Sequence, residues 1–201
     1  MLFRSRAPQV NLLLDRPPTQ IEVGGLFYEI DADFRTGIAF ELLMLDEEFT
    51  ETEKAARAME LYFPQIPDDE EEAMEKILWF YLCGREETNQ EEKETEPAPK
   101  NIVYSYEYDA GSIYAAFLSQ YGMDLVEIPF LHWWKFKALF HALDENLEFM
   151  KIMRYRAVDI TKVPKEQKDF YRKMKQLYAL PDNRTEEEKE QDFISSLSEG
   201  L

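Results

Sequence analysis

The chain has 201 residues with 41 acidic and 23 basic side chains, a formal net charge of −18 and one cysteine. A chain of this length can bury a hydrophobic core without a disulfide or a structural metal, and one cysteine excludes an intramolecular disulfide and a cysteine-based zinc cluster. The negative charge repels phosphate backbones and anionic lipids, so we expect neither nucleic acid nor a membrane as partner.

The first residues do not follow the pattern of a secretory signal peptide. The opening MLFRSRAPQVNLLLDRPP has a short apolar part, which Asp15 and Arg16 interrupt. No apolar run in the sequence approaches the roughly 18 residues that a membrane-spanning helix needs. We therefore expect a cytosolic protein.

Charge is unevenly distributed along the chain. Residues 1–100 contain 24 acidic and 10 basic side chains, whereas residues 129–180 contain 6 acidic and 11 basic side chains. We call residues 129–180 the basic region. Its charge is opposite to that of the rest of the chain.

The segment TQIEVGGLFYEID, residues 19–31, predicts a β-hairpin. Two short runs with partial apolar and polar alternation flank Gly24-Gly25, a dipeptide that tolerates the positive φ angles of a two-residue turn. We expect Gln20 to Val23 to pair with Leu26 to Ile30. Because an isolated hairpin is only marginally stable in water, it must rest on helices or join strands of another chain.

Three helices are predicted after the hairpin. The first begins at the N-cap Asp33, and the second runs from Glu51 to Tyr62 and ends before Pro64. The third lies in PDDEEEAMEKILWFYLCG, where acidic residues in the first turns favour a helix and Gly84 ends it. The predicted apolar faces are Ile38, Leu42 and Leu45 in the first helix and Met74, Ile77, Leu78 and Tyr81 in the third.

Four more helices are predicted in the second part of the chain. Asp109 is the expected N-cap of one helix, and Pro129 is placed where the next helix would start, since proline is favoured at the first helical position. The last helix has a predicted apolar stripe of Phe170, Met174, Leu177 and Tyr178. The four helices are expected at residues 109–121, from about 129, at about 144–158 and at 165–179.

The residues between these helical parts predict a flexible linker. The segment REETNQEEKETEPAPK, residues 85–100, has almost no apolar residue, so it cannot bury enough surface to offset the entropy of ordering. The predicted fold is thus mainly α with a small N-terminal β-hairpin, as helical bundles in two parts joined by an acidic linker. The predicted divisions are 1–84, the linker 85–100, the C-terminal helical part 101–181, and an acidic flexible tail 182–201.

The stretch LHWWKFKALFHAL, residues 131–143, contains both histidines and two adjacent tryptophans. The predicted core stripe, at helical spacing, consists of Trp133, Phe136, Phe140 and Leu143. Trp134 lies about 100° around the helix from this stripe, so it is either buried at the edge of the stripe or faces a partner. His132 and His141, nine residues apart, point to roughly opposite sides of a helix and cannot share a metal ion.

Motifs for catalysis are absent from the sequence. It contains no Gly-rich phosphate loop, no His-Glu-x-x-His helix, no nucleophile elbow and no calcium loop. We therefore expect a protein that is not an enzyme, with no cofactor and no metal site.

Several segments resemble one family of proteins from tailed phages and prophages of Gram-positive bacteria. The segments FYEIDADFRTGIAFELLMLDEE and EEAMEKILWFYLCG resemble its N-terminal part, and YDAGSIYAAFLSQYGMDL, LHWWKFKALFHAL, KIMRYRAVDI and KEQKDFYRKMKQLYALP resemble the remainder. The family is known as phage gene product fifteen. The resemblance covers about residues 21–181, and the His-Trp-Trp-Lys-Phe-Lys string is its most specific element.

The resemblance implies a role in building a phage tail. Such proteins look like tail assembly chaperones, which would bind the tape measure protein, keep it soluble and present it to tail tube subunits. A structural tail component retained in the virion is the alternative, and an enzyme is the least favoured class. The assignment rests on fold-level and gene-order analogy.

Candidate partner-binding residues come from the aromatic stretch and the basic region. The basic residues either form a solvated surface or dock an acidic segment, which would be the linker, the tail or the N-terminal part of a second copy. The second alternative predicts self-association that salt weakens. The candidates are Trp134, Lys135, Lys137, Lys165, Lys168, Arg172 and Lys175.

Overall fold

A computed structural model of the protein describes residues 10–85 and 103–181. Within them the chain forms a two-stranded antiparallel hairpin followed by α-helices, which confirms the predicted mainly helical class. Apart from Arg85, the predicted linker 85–100 lies outside the described residues, as does the predicted tail 182–201. The elements are β1 Gln20–Val23, β2 Leu26–Glu29, α1 Phe34–Leu45, α2 Glu51–Tyr62, α3 Glu70–Tyr81, α4 Ala110–Tyr121, α5 Trp133–His141, α6 Glu148–Ala157 and α7 Lys165–Leu177.

The hairpin has the predicted turn and rests on α3. Gly24 and Gly25 both have positive φ angles, and β1 pairs with β2 in the register Val23 opposite Leu26. The backbone N–H of Gly24 donates a hydrogen bond to Glu72 Oε2 at 2.7 Å, which ties the turn to the first part of α3. The helix surface therefore supplies the support that a lone hairpin lacks.

One aromatic core joins the two parts of the chain. The ring of Phe136 in α5 stacks on Phe34 of α1 and on Phe117 of α4, with both ring centroids 5.0 Å away. The predicted stripe Trp133, Phe136, Phe140 and Leu143 is entirely buried. Helix α5 therefore packs against the N-terminal helices as well as against α4, and the two predicted helical parts share this core.

Helix α1 turns a different face to the core from the one predicted. Leu42 and Leu45 are exposed and Ile38 is half-buried, whereas Phe34, Gly37 and Phe40 are buried. The indole of Trp133 lies against Gly37, so the face with the smallest side chain is the one that contacts α5. The prediction was wrong because it counted apolar residues and gave no weight to glycine as a packing site.

Helix α3 is rotated by about one residue from its predicted face. Ile77 is fully buried as predicted, but its buried neighbours are Ala73 and Phe80, while Leu78 is 43% exposed. The predicted residues Met74 and Tyr81 are half-buried at the margin of the contact.

Two helices of the second part begin later than predicted. The chain is extended at Leu131 and His132, where it pairs with the segment before α1, so α5 begins at Trp133 and not near Pro129. Helix α6 begins at Glu148 and not near Asp144, because the Asp144 carboxylate accepts the backbone N–H of Asn146 and stabilises a turn there.

Helix α7 contributes no fully buried residue. It packs on α6 and the 3₁₀ turn Ile160–Lys162. Met174 and Tyr178 of its predicted apolar stripe are half-buried, but Phe170 and Leu177 are 49% and 67% exposed. The helix therefore has an apolar surface that the rest of the described chain leaves uncovered.

Candidate interaction surfaces

Two of the segments that carried the family resemblance, FYEIDADFRTGIAFELLMLDEE and LHWWKFKALFHAL, contact each other through hydrogen bonds. Asp33 Oδ1 accepts the backbone N–H of Arg35 at 3.0 Å and caps α1, while its Oδ2 accepts the backbone N–H of Leu131 at 3.1 Å. The backbone N–H of Phe34 donates to Leu131 O, and that of Trp133 donates to Ala32 O, both at 2.8 Å. One carboxylate thus caps a helix and positions a segment 98 residues away.

Arg35 strengthens this junction from the other side. Its Nη2 donates hydrogen bonds to Leu125 O at 2.8 Å and Ile128 O at 2.9 Å, and its Nη1 donates to Asp33 Oδ1 at 3.1 Å. The Asp-Phe-Arg sequence therefore supplies, in three successive residues, the N-cap of α1, an aromatic ring in the core and a guanidinium that donates to backbone carbonyls. These contacts explain the motif as a structural one.

Both adjacent tryptophans are buried, and both use their indole N–H. Trp133 Nε1 donates to Tyr81 O at 2.9 Å, and Trp134 Nε1 donates to Phe80 O at 2.7 Å. Trp134 is 3% exposed, so the alternative in which its ring faces a partner is wrong. Its ring packs edge-on against Trp79 and lies beside Gly84, at the end of α3. Burial satisfies the polar end of each indole, as expected of interior tryptophans.

His132 is the N-cap of α5. Its Nδ1 accepts the backbone N–H of Trp134 at 3.1 Å, so Nε2 carries the proton and donates to Pro18 O at 2.9 Å. Burial lowers the pKa of His132 below its ordinary value; the nearby charge of Lys135 acts in the same direction, and the bond to Pro18 opposes both. Both ring nitrogens thus form hydrogen bonds with the backbone, one at the start of α5 and one at Pro18.

A half-buried cluster of tyrosines around one carboxylate lies where α1, α3, α5 and the segment at 103–106 meet. Glu41 accepts a hydrogen bond from the Tyr81 hydroxyl. Burial, together with the charge of Glu41, raises the pKa of Tyr104 to about 12 and also raises that of Tyr106. Lys137 lies over the ring of Trp133 at 5.1 Å, and burial lowers the pKa of its ammonium while Glu41 opposes this. Lys137 is therefore turned partly inward.

The other predicted basic residues lie on two helices with different packing partners. Lys135 is exposed on α5, which packs on α1, whereas the remainder lie on α7, which packs on α6. Lys168 donates to Thr161 O at 3.3 Å, and Arg172 pairs with Asp169 at 2.8 Å. Their role in binding stays a prediction. On α7, Lys165 and Arg172 are exposed, and Lys168 and Lys175 are half-buried.

An open groove of about 330 Å³ runs along α6. It is lined by Val103 and by Met150, Met153 and Ala157, the last three at helical spacing. Glu145 and Arg154 also line it, and their side chains form an ion pair of 3.2 Å. The groove offers deformable apolar surface beside an exposed ion pair.

Sequence reasoning missed this groove and the buried ion pair that braces α6. Arg156 Nη1 and Nη2 donate to the two carboxylate oxygens of Asp109 at 2.6 and 2.9 Å, and its Nε donates to Tyr178 O at 2.6 Å. The signal for the groove was present, since Met150 and Met153 are three residues apart in a predicted helix. No local signal pairs Arg156 with a carboxylate 47 residues earlier.

Two further findings concern metals and membranes. Among residues 10–85 and 103–181, no group of three or more His, Cys, Asp or Glu side chains is arranged to hold a metal ion. Of the helices in those ranges, none has the length and apolarity required to cross a bilayer.

The sequence model of the family described as "Bacteriophage Gp15 protein" matches residues 13–180, which is most of the chain. The chain belongs to this family. No curated protein and no solved structure matches the chain. The match spans the hairpin, the Asp-Phe-Arg start of α1, the Trp-Trp start of α5 and all of α7, so the junction described above lies within the matched residues.

Proposed function

We propose that this Gp15-family protein is a non-catalytic tail assembly protein that binds the tape measure protein of its phage in the cytoplasm of the bacterial host. In this role it keeps the tape measure chain soluble until tail tube subunits assemble around it. The membership in a phage family supports the setting, and the groove on α6 supports the mode of binding.

The groove is the observation on which the proposal rests. Met150, Met153 and Ala157 present apolar surface at the spacing i, i+3, i+7, which complements the apolar stripe of an amphipathic helix. Methionine side chains adjust their shape, so one groove accommodates many different turns of a long helical chain. A tape measure protein requires this tolerance, because each turn presents a different set of side chains.

The titratable groups with hydrogen-bonding roles in the core support a non-catalytic protein. His132 caps α5 and holds Pro18, and Asp109 is occupied by Arg156. These groups are committed to holding elements together.

The test is co-expression with the tape measure protein of the same phage. We expect the protein to keep that chain soluble and to copurify with it, and Met150→Glu with Met153→Glu to abolish copurification. A second variant, Ala157→Trp, fills the groove without a buried charge and has the same expected effect. Leu45→Glu is the matched control, because Leu45 is an exposed apolar residue on α1, remote in sequence from the groove.

Two results would contradict the proposal. Copurification that survives both groove variants would remove the groove from the binding site. The second result would come from mass spectrometry of purified virions, because an assembly chaperone is absent from the finished particle. Stoichiometric amounts of the protein there would establish a structural tail component in its place.

A further inference from the structure

Two helices of the described chain carry exposed stripes with the same spacing. On α3 and its C-cap, Glu71, Glu75, Leu78 and Leu82 follow at intervals of four, three and four residues and so lie in one line. On α7 the same intervals join Glu166, Phe170, Lys173 and Leu177. We call these the α3 stripe and the α7 stripe.

The apolar members of both stripes face solvent. Leu78 and Leu82 are 43% and 36% exposed, and Phe170 and Leu177 are 49% and 67% exposed. All four acidic and basic members are exposed as well. The α3 stripe lies opposite the side by which α3 packs on its own chain, whereas Phe170 of the α7 stripe keeps an edge contact with Tyr155 of α6. Neither stripe covers the other within one copy.

The charges of the two stripes are complementary in one orientation. The first half of the α3 region is acidic, with Asp68, Glu70, Glu71 and Glu75 exposed, and the second half of α7 is basic, with Arg172 and Lys173 exposed. When the helices are antiparallel, Glu75 lies opposite Lys173 and Leu78 lies opposite Phe170 at the centre of the contact, and its two ends place Glu71 by Leu177 and Glu166 by Leu82. In the parallel orientation Glu71 faces Glu166, which places like charges together.

We infer that the α3 stripe of one copy packs antiparallel on the α7 stripe of a second copy. This contact goes beyond the proposed function and does not depend on the tape measure protein or on the α6 groove. Because the two surfaces differ, the contact is heterologous, and an open chain of copies keeps one free surface of each kind, at its two ends. Association thus builds either an open chain or a closed assembly in which every copy uses both surfaces.

A single helix pair is a small interface, so the association is weak and sensitive to salt. Exposed charges are screened over about 10 Å at 0.1 M ionic strength. In sedimentation equilibrium of the full-length protein, we expect the apparent mass to rise with concentration at low salt and to rise much less at high salt. A mass that stays monomeric at every concentration and salt overturns the inference.

Charge reversal identifies the surfaces. Glu71→Lys with Glu75→Lys places a lysine opposite Lys173, and Arg172→Glu with Lys173→Glu places a glutamate opposite Glu75, so each variant alone is expected to lose the rise in mass. An equimolar mixture of the two variants restores opposite charges at every contact and is expected to associate again. The recovery shows that the loss was not due to misfolding. Variants that associate as the wild type does, or a mixture that does not recover, overturn the inference.

The matched control changes the same number of charges elsewhere. Glu107, Glu127, Arg57 and Lys135 are exposed and lie outside both stripes, so the double variants Glu107→Lys with Glu127→Lys and Arg57→Glu with Lys135→Glu are expected to leave association unchanged. Loss of association in these controls would show that net charge alone governs it, and would overturn the assignment of the two stripes.

Disulfide crosslinking checks the orientation in a Cys83→Ser background. We expect a Glu75→Cys variant mixed with a Lys173→Cys variant to form an intermolecular disulfide more readily than Glu71→Cys mixed with Glu166→Cys. Equal or reversed yields would overturn the antiparallel register.

Discussion

Gly37 shows at the scale of one residue how α5 fits into the N-terminal helices. A Cβ at this position would lie 2.3 Å from Trp133 Cε3 and 2.4 Å from Trp133 Cδ2, well inside contact distance. Both residues are buried, and the ring is fixed by its bond to Tyr81 O. Neither the helix nor the indole can therefore move aside at low cost.

We predict that Gly37→Ala destabilises the protein by about 1–3 kcal/mol, as expected for overpacking a well-packed core. At an exposed helix position the same substitution would stabilise the protein, because alanine has the higher helix propensity. The expected effect at Gly37 therefore has the opposite sign. Gly111→Ala is the matched control, because Gly111 lies in the first turn of α4, where an added Cβ would meet no described atom within 4 Å. It should be neutral or stabilising by up to about 1 kcal/mol.

Urea denaturation of both variants measures these differences. Equal stability changes in the two variants would mean that the contact between Gly37 and Trp133 carries no strain. The sequence indicated a helix at Gly37 and a core position at Trp133. The sequence did not indicate that these two residues are in contact, because a glycine that serves as a packing site is recognised only when the side chain that lies against it is known.

At the scale of elements, the Arg156–Asp109 pair connects α4, α6 and the chain after α7. The two side chains are only 10% and 5% exposed, and Arg156 also donates to Val103 O and Tyr178 O. Asp109 was predicted as an N-cap, and it does occupy that position, but its carboxylate makes no capping bond to α4. It accepts from Arg156 and from the backbone N–H of Ser105 instead.

We predict that Asp109→Ala destabilises the protein by about 3–5 kcal/mol, because it leaves a buried guanidinium without its counter-ion. The matched control is Glu145→Ala, which removes the carboxylate of an exposed pair with Arg154 and should cost less than about 1 kcal/mol. Thermal unfolding followed by circular dichroism compares the two. Similar losses for both would show that burial of the Asp109 pair is unimportant.

The elements themselves were largely predictable, since helical periodicity and turn residues are local signals. The hairpin register, the α1 N-cap and the bounds of α2 followed from Gly24-Gly25, Asp33 and the residues at 51–62. The start of α5 did not, because Leu131 and His132 are held extended by a partner segment almost a hundred residues earlier. Long-range pairing of this kind produces no periodic spacing of apolar residues in the sequence.

At the scale of the whole molecule, α5 is a shared component of both parts of the chain. It supplies Trp133 to the N-terminal helices and Phe140 to the C-terminal ones, where Phe140 packs on Phe149 of α6. The sequence predicted a division at the acidic segment 85–100, and that boundary stays a prediction. The shared core means that two fragments separated there would each lack part of their hydrophobic contacts.

We predict that limited proteolysis cuts first within residues 85–100 and that the two fragments remain bound after the cut. Size-exclusion chromatography in native buffer should give one peak that resolves into two fragments under denaturing conditions. Fragment 1–100 expressed alone should unfold without cooperativity, because it lacks Trp133 and Trp134. Independent cooperative folding of that fragment, or separation of the fragments after the cut, would contradict a shared core.

The capping of α1 by Asp33 also has a consequence for synthesis on the ribosome. The carboxylate that caps α1 must wait for Leu131, 98 residues later, before both its oxygens are engaged. At bacterial elongation speeds of roughly 5–20 residues per second, that delay is on the order of 5–20 s. During it the nascent N-terminal part lacks Trp133, the ring that packs against Gly37, so translation rate sets how long that contact stays unmade.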